Sequence, residues 1–342
     1  MKLRQAVRTT LAGALTLGFS TAAMAQDVTI RYSNWLPNGF WLKEEVIANW
    51  IDQVAEVTDG RVVVETMPKV VGSVQGQYDV IRDGLADLSW IVTGYTPGRF
   101  PLIEFGDLGL QGEKAGVMAP AMDRIYREQL ASYDVFEGVE PLSVLVISPL
   151  QMVLKDKVIN SVDDLKGLKL RSSSNTLTAA IEAVGSVPIL KSMAEVYEML
   201  SSGTIDGQIT NLNSVIGFNG LDLTNSQYYI PGGMSNAVIL WGLNKDTWNR
   251  ISPEDQEAIR GISGEVFAGN VGAEYDTQDA AALQQMKEAG YTLTRASDAD
   301  MEALRSKLKP IEDAWIARAK EAGLENAEEI LKMYKEAGSG AM

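Results

Sequence analysis

Tyr78-Asp-Val-Ile-Arg-Asp-Gly84-Leu-Ala-Asp87 runs into the apolar stretch Leu88-Ser-Trp-Ile-Val92, and Tyr197-Glu-Met-Leu-Ser-Ser-Gly203-Thr-Ile-Asp206 runs into Gly207-Gln-Ile-Thr210. In both, a tyrosine stands six residues before a glycine and an aspartate three residues after it. Glycine suits a helix C-terminus because it reaches the left-handed conformation that satisfies the last carbonyls. The run that follows reads as a buried strand. The second segment also carries a capping box, Ser192-x-x-Glu195. The shared spacing predicts one helix–glycine–strand unit in each of two related α/β lobes.

Working outward, alternating apolar and polar residues at 28–33 predict a strand, which Pro37, Asn38 and Gly39 end in a loop. Leu42, Val46, Trp50, Ile51 and Val54 form a helical stripe over 41–57. Gly60 ends it, and Val62-Val63-Val64 resumes a strand, so the chain opens β-α-β. Between the two units, a helical turn at 163–166 is closed by Gly167 and followed by a strand at 168–171. A helix at 176–184 is capped from the polar cluster at 172–175. Arg171 therefore ends a strand just before a helix N-terminus. Open α/β sheets bind ligands at that edge, and the helix dipole favours an anion there. Farther on, Ser252-Pro253 starts a helical third, with helices at 257–269, 278–289 and 299–322 and a strand at 291–294. Residues 338–342 are expected to fray.

The 342 residues exceed one ordinary core, so two domains are expected. Apolar residues make up 46% and charged residues 22%, a soluble globular profile. Cysteine and histidine are both absent. That excludes disulfides, thiolate or imidazole metal ligands, and any catalytic triad built on an imidazole base. A bound ion would have to be hard and oxygen-coordinated. No phosphate-binding loop or dinucleotide fingerprint is present, no carboxylate pair stands out as an acid/base couple, and no cofactor or metal site is expected.

Residues 1–25 have the layout of a secretory signal peptide: Lys2, Arg4 and Arg8, a short apolar core, and Ala23-Met24-Ala25. The mature chain is expected to start near Gln26, outside the inner membrane. Its charge moves from −15 to −18 when the three basic residues leave. That field repels a phosphate backbone, so no nucleic-acid partner is expected. No later stretch is long and apolar enough for a membrane helix, so no direct membrane insertion is expected either.

Arg171 leads the candidate binding residues, because a guanidinium offers a rigid fork of donors that matches a carboxylate. Trp50, Trp248 and Trp315 fit helices and read as packing. Trp35, Trp90 and Trp241 lie at strands or strand ends and could box an apolar guest, with ordinary burial as the alternative. Thr210 and Asn211 end the second unit's strand and could hydrogen-bond a ligand. Asn34 and Thr93 hold comparable positions in the other lobe. Gln151 precedes an apolar run and is neutral, so it cannot supply a second positive charge.

Read in order, these residues resemble the DctP-type substrate-binding receptors of tripartite ATP-independent periplasmic (TRAP) transporters. The segments that carry the resemblance are Thr58-Asp-Gly-Arg-Val62, Gly84-Leu-Ala-Asp87, Asp164-Leu-Lys-Gly-Leu-Lys-Leu-Arg171, and Glu195-Val-Tyr197 running on to Gly203-Thr-Ile-Asp-Gly207. The resemblance implies an α/β, two-lobed periplasmic binding protein, type II-like, with crossing strands and a long linking helix. On that reading 26–148 with 236–275 form lobe I, 149–235 with 276–330 form lobe II, and 331–342 are a tail. It also implies that Arg171 binds the substrate carboxylate. Sialic-acid-binding members carry asparagine where Thr210 stands and a second arginine where Gln151 falls, so a smaller or less polar acid is expected. Met193 lies where the family often has a bulky apolar residue near the cleft. The expected function is capture of an organic acid anion, a monocarboxylate with an apolar or aromatic body, and its delivery to a TRAP membrane permease without chemical conversion. A solute sensor for a signalling partner and a periplasmic enzyme acting on carboxylates are the alternatives.

Overall fold

The computed structural model describes residues 28–340. The expected signal peptide and mature start lie outside the described residues. Eleven strands are found among the described residues, in two sheets. The first sheet takes β1 (Val28–Tyr32), β2 (Val62–Thr66), β3 (Leu88–Val92), β4 (Val139–Val146) and β10 (Val238–Asn244) in the order β2-β1-β3-β10-β4. The second takes β5 (Gln151–Leu154), β6 (Lys169–Ser172), β7 (Val187–Leu190), β8 (Gly207–Thr210), β9 (Ser226–Tyr229) and β11 (Thr292–Arg295) in the order β11-β9-β5-β8-β6-β7. Each sheet contains one strand that runs against its neighbours: β10 is antiparallel to β3 and β4, and β5 to β8 and β9. Those two strands arrive from the other sheet, β5 directly after β4 and β10 directly after β9. The two crossing segments touch where Leu150 N donates to Ser235 O (2.9 Å) and Met234 N to Leu150 O (2.9 Å).

The repeated sequence unit has one structural meaning in both lobes. Gly84 and Gly203 have φ of 70° and 72° and end the helices Gln77–Arg82 and Val196–Ser201. Leu85 N then donates back to Val80 O (3.0 Å), and Thr204 N to Met199 O (2.9 Å). The aspartate three residues after each glycine clasps a neighbouring strand. Asp87 accepts Arg31 N on Oδ2 at 2.8 Å while its own N–H donates to Arg31 O (2.9 Å). Asp206 accepts Lys169 N at 2.8 Å while donating to Lys169 O (2.8 Å). The pattern Gly-x-x-Asp thus codes a helix stop followed by a carboxylate that locks strand order.

Asp87 also holds the Arg31 guanidinium (Nε, 2.8 Å) and the Thr247 hydroxyl (2.8 Å). Burial pulls its pKa up, but the hydrogen bonds from Arg31 and Thr247 outweigh it, and Asp87 titrates below its ordinary range. A carboxylate with a depressed folded pKa contributes stability above its unfolded pKa of about 3.9, and that stability is lost as pH falls through the folded value. Asp87→Asn is therefore expected to cost about 1.5–3 kcal/mol at pH 7. Urea unfolding at pH 7 and pH 3 checks this: the gap between variant and wild type should shrink at the acid end.

Two expectations for the C-terminal third need correction. Residues 257–289 do not form helices at 257–269 and 278–289. Pro253–Gly261 ends first, and one helix then runs unbroken over Gly264–Glu288. Its polar middle passes between the lobes with its acids turned inward. Asp276 accepts Ala115 N and Gly116 N (3.0 and 3.1 Å), capping the helix Ala115–Ile125, and Asp279 accepts Asn213 N and the Ser148 hydroxyl (2.7 and 2.6 Å). Buried Val271, Gly272 and Tyr275 alternate there with these inward-facing acids, and the mixed face masks the hydrophobic periodicity. Second, the segment 331–342, expected as a tail, is helical up to 338. Ala327–Gly338 is a helix that buries Ile330, Leu331, Tyr334 and Ala337, and Tyr334 packs edge-on against Phe105 at 5.2 Å.

Candidate functional site

The lobes face one another across a cavity lined from both sheets. Arg171 is its one charged lining residue; the rest of the wall is aromatic, aliphatic or neutral polar. Arg171 is the penultimate residue of β6, just before the chain turns into the helix Asn175–Ala183, and Ser174 caps that helix by accepting Leu177 N at 3.1 Å. The strand exit and the cap together put the guanidinium at the sheet edge, 97% removed from solvent. Its hydrogen bonds go to neutral oxygens: Nε donates to Lys191 O (2.8 Å) and Nη2 to the Tyr95 hydroxyl (3.0 Å). Among the described residues no acid pairs with it and Nη1 has no partner. A buried cation without a carboxylate is costly unless an anion joins it.

Neutral donors flank the guanidinium. Ser173 Oγ and Asn211 Nδ2 are buried without a hydrogen-bond partner among the described residues. The Asn211 carbonyl oxygen accepts the hydroxyls of Ser214 (2.8 Å) and Thr210 (3.4 Å), which orients the amide and leaves its NH2 free. Aromatic rings complete the wall. Trp35 lies 6.3 Å from Phe218, which stands edge-on to Phe40 at 5.6 Å, and Tyr275 and Trp90 line the same space. The Trp35 indole N–H is occupied by Trp90 O (2.7 Å), so that side chain offers the cavity its ring only.

Of the sequence candidates, Arg171, Thr210, Asn211, Trp35, Trp90 and Met193 line this one cavity. Asn34, Thr93, Gln151 and Trp241 stand outside its lining. Asn34 is spent on its own turn, accepting from Tyr32 Oη (3.0 Å) and Leu36 N (3.1 Å). The Thr93 hydroxyl donates to Val238 O (3.0 Å), and the Gln151 amide both donates to and accepts from Ile230 (3.1 and 2.7 Å). Trp241 shares a strand face with Ile239 but sits two residues deeper, edge-on to Trp50 at 5.3 Å and stacked on Phe267 at 5.8 Å. Sequence reading missed Tyr95, Phe40, Phe218, Tyr275, Ser173 and Ser214. The one available signal was position: Tyr95 follows β3 closely, and Ser173 lies inside the cluster read only as a helix cap.

The family model for bacterial extracellular solute-binding protein family 7, DctP, matches residues 33–318. The chain belongs to this family. A TRAP periplasmic solute-binding protein from Bordetella bronchiseptica, solved with bound (R)- and (S)-mandelate, is 30% identical with a TM-score of 0.88, over 92% of this chain and 100% of that one. A marine metagenome TRAP solute-binding protein specific for aromatic acid ligands, solved with 3-hydroxybenzoate, is 26% identical with a TM-score of 0.86, over 92% and 99%. The outer membrane transporter protein TsaT of Comamonas testosteroni is 26% identical over 94% of this chain and 95% of its own. The protein is thus a DctP-family TRAP solute-binding receptor with the two-lobed α/β fold of that family, whose members bind substrates rather than convert them. No helix among the described residues is long and apolar enough to cross a membrane.

Proposed function

We propose that the protein captures a monocarboxylate with an aromatic body in the periplasm and delivers it to a TRAP permease. One observation carries this reading: a cavity walled by aromatic rings holds one cation, with no acid among the described residues to neutralise it. In this reading the carboxylate docks end-on against Arg171, Ser173 and Asn211 donate to its remaining lone pairs, and Trp35, Trp90, Phe40 and Phe218 cover the ring. We place the moving bodies at 26–148 with 236–275 and at 149–235 with 276–330, hinged at the two crossing segments. Closure removes water and strengthens the ion pair. The signal peptide at 1–25 supplies export. Relatives solved with mandelate and 3-hydroxybenzoate support the ligand class.

Isothermal titration with benzoate, mandelate and succinate tests it. Aromatic acids are expected to bind with Kd of about 1 μM or tighter. Succinate is expected to give no heat, because its second carboxylate would be desolvated with no cation to meet it. Tight succinate binding with none for the aromatic acids would overturn the ligand class.

A further inference from the structure

We infer that Tyr95 donates its phenolic proton to the bound carboxylate, so that the guest itself ties the first lobe to the guanidinium site of the second. The inference rests on the reading of Arg171 as the carboxylate's partner. Tyr95 ends the short turn Thr93–Tyr95 that follows β3, and its ring lines the cavity. Its oxygen accepts two N–H groups from the opposite lobe: Arg171 Nη2 at 3.0 Å and Met193 N at 2.9 Å. A phenol oxygen has two acceptor lone pairs and one proton. Both lone pairs are occupied by donors that cannot accept in return. The proton must point elsewhere, and no acceptor for it is found among the described residues.

Geometry supplies the acceptor's place. Arg171 Nε is committed to Lys191 O, so the guanidinium meets a guest through Nη1 and the remaining hydrogen of Nη2. A carboxylate drawn to this guanidinium stands in the space that Tyr95 also lines, where its outward lone pairs are the acceptors open to the phenolic proton. Accepting from a cation also makes the phenol a stronger donor. The other carboxylate donors, Arg171, Ser173 and Asn211, all belong to the second lobe. Tyr95 is the first-lobe donor, and its hydroxyl therefore acts on the closed state and on release.

Tyr95→Phe keeps the ring and removes the hydroxyl. Stopped-flow tryptophan fluorescence with benzoate as probe, read through Trp35 and Trp90, should show dissociation faster by ~10-fold or more. Association should stay within about twofold, because the bond forms only on closure. The ligand-free protein loses the acceptor of Arg171 Nη2 and Met193 N as well, so its melting temperature should fall. An unchanged dissociation rate overturns the proposal, as does slowed association, the mark of a purely structural tyrosine. Arg171→Ala, run in parallel, separates the two readings. Lost binding there beside wild-type kinetics in Tyr95→Phe defeats the role of Tyr95 alone. Wild-type behaviour in both variants, or wild-type protein that ignores benzoate, defeats the carboxylate reading as well.

Discussion

Arg171→Ala is expected to weaken binding of an aromatic monocarboxylate by about 2–5 kcal/mol, the cost of removing one partner from a desolvated charge pair. That is a loss of roughly 30- to 5,000-fold in affinity. The size follows from the site's isolation: among the described residues no other cation lines the cavity, so no neighbour can take over the charge. Fold stability should barely change. Among the described residues Arg171 makes no ion pair with an acid, and its two side-chain hydrogen bonds go to a main-chain carbonyl and to Tyr95 in the other lobe. Removing it also relieves the ligand-free protein of a poorly compensated charge. Arg171→Lys should fall between, since an ammonium keeps the charge but loses the planar fork. Titration calorimetry with benzoate, alongside thermal melts without ligand, checks both halves. Wild-type affinity in Arg171→Ala would remove the basis for reading this cavity as an anion site.

Gly94→Val is expected to leave both lobes folded and to stop them closing. A Cβ at residue 94 would stand 2.5 Å from Ser174 Cβ and 2.6 Å from Ser173 O, in the opposite lobe. Neither atom can swing aside, because Ser174 is the cap of the helix Asn175–Ala183 and Ser173 O is main chain. The variant would keep the second-lobe contacts to a guest and lose those of Trp35, Trp90 and Tyr95. About 100 Å² of apolar contact at 25 cal/mol/Å² is worth ~2.5 kcal/mol, so affinity should drop by roughly 100-fold. Small-angle scattering should show the compaction on adding benzoate in wild type and none in the variant. Compaction and affinity like those of wild type would show that the lobes meet elsewhere.

Legibility followed the range of the interaction. The helix–Gly–strand units were readable because the glycine turn and the aspartate clasp are written in a few consecutive residues, as the matching hydrogen bonds of Asp87 and Asp206 show. Arg171 could be picked out because its strand, its turn and the Ser174 cap follow one another. Asn34, Thr93 and Gln151 have the residue types of ligand donors, but each is consumed by main-chain groups that arrive from another segment or from its own turn. Trp90 and Trp241 face each other across β3 and β10, yet one lines the cavity and the other is sealed by Trp50 and Phe267. Alternation gives the face of a strand and says nothing about depth along it.

By itself the chain's order of residues determined two kindred α/β halves, the exclusion of imidazole and thiolate chemistry from the site, and a guanidinium at a strand's end. Only tertiary structure decided which rings meet that guanidinium, that Tyr95 reaches it from the opposite lobe, and that residues 264–288 make one continuous helix. The reason is physical. Caps, turns and helix stops are satisfied by partners within a few residues, whereas a cavity wall is the surface left over when distant segments have finished satisfying one another.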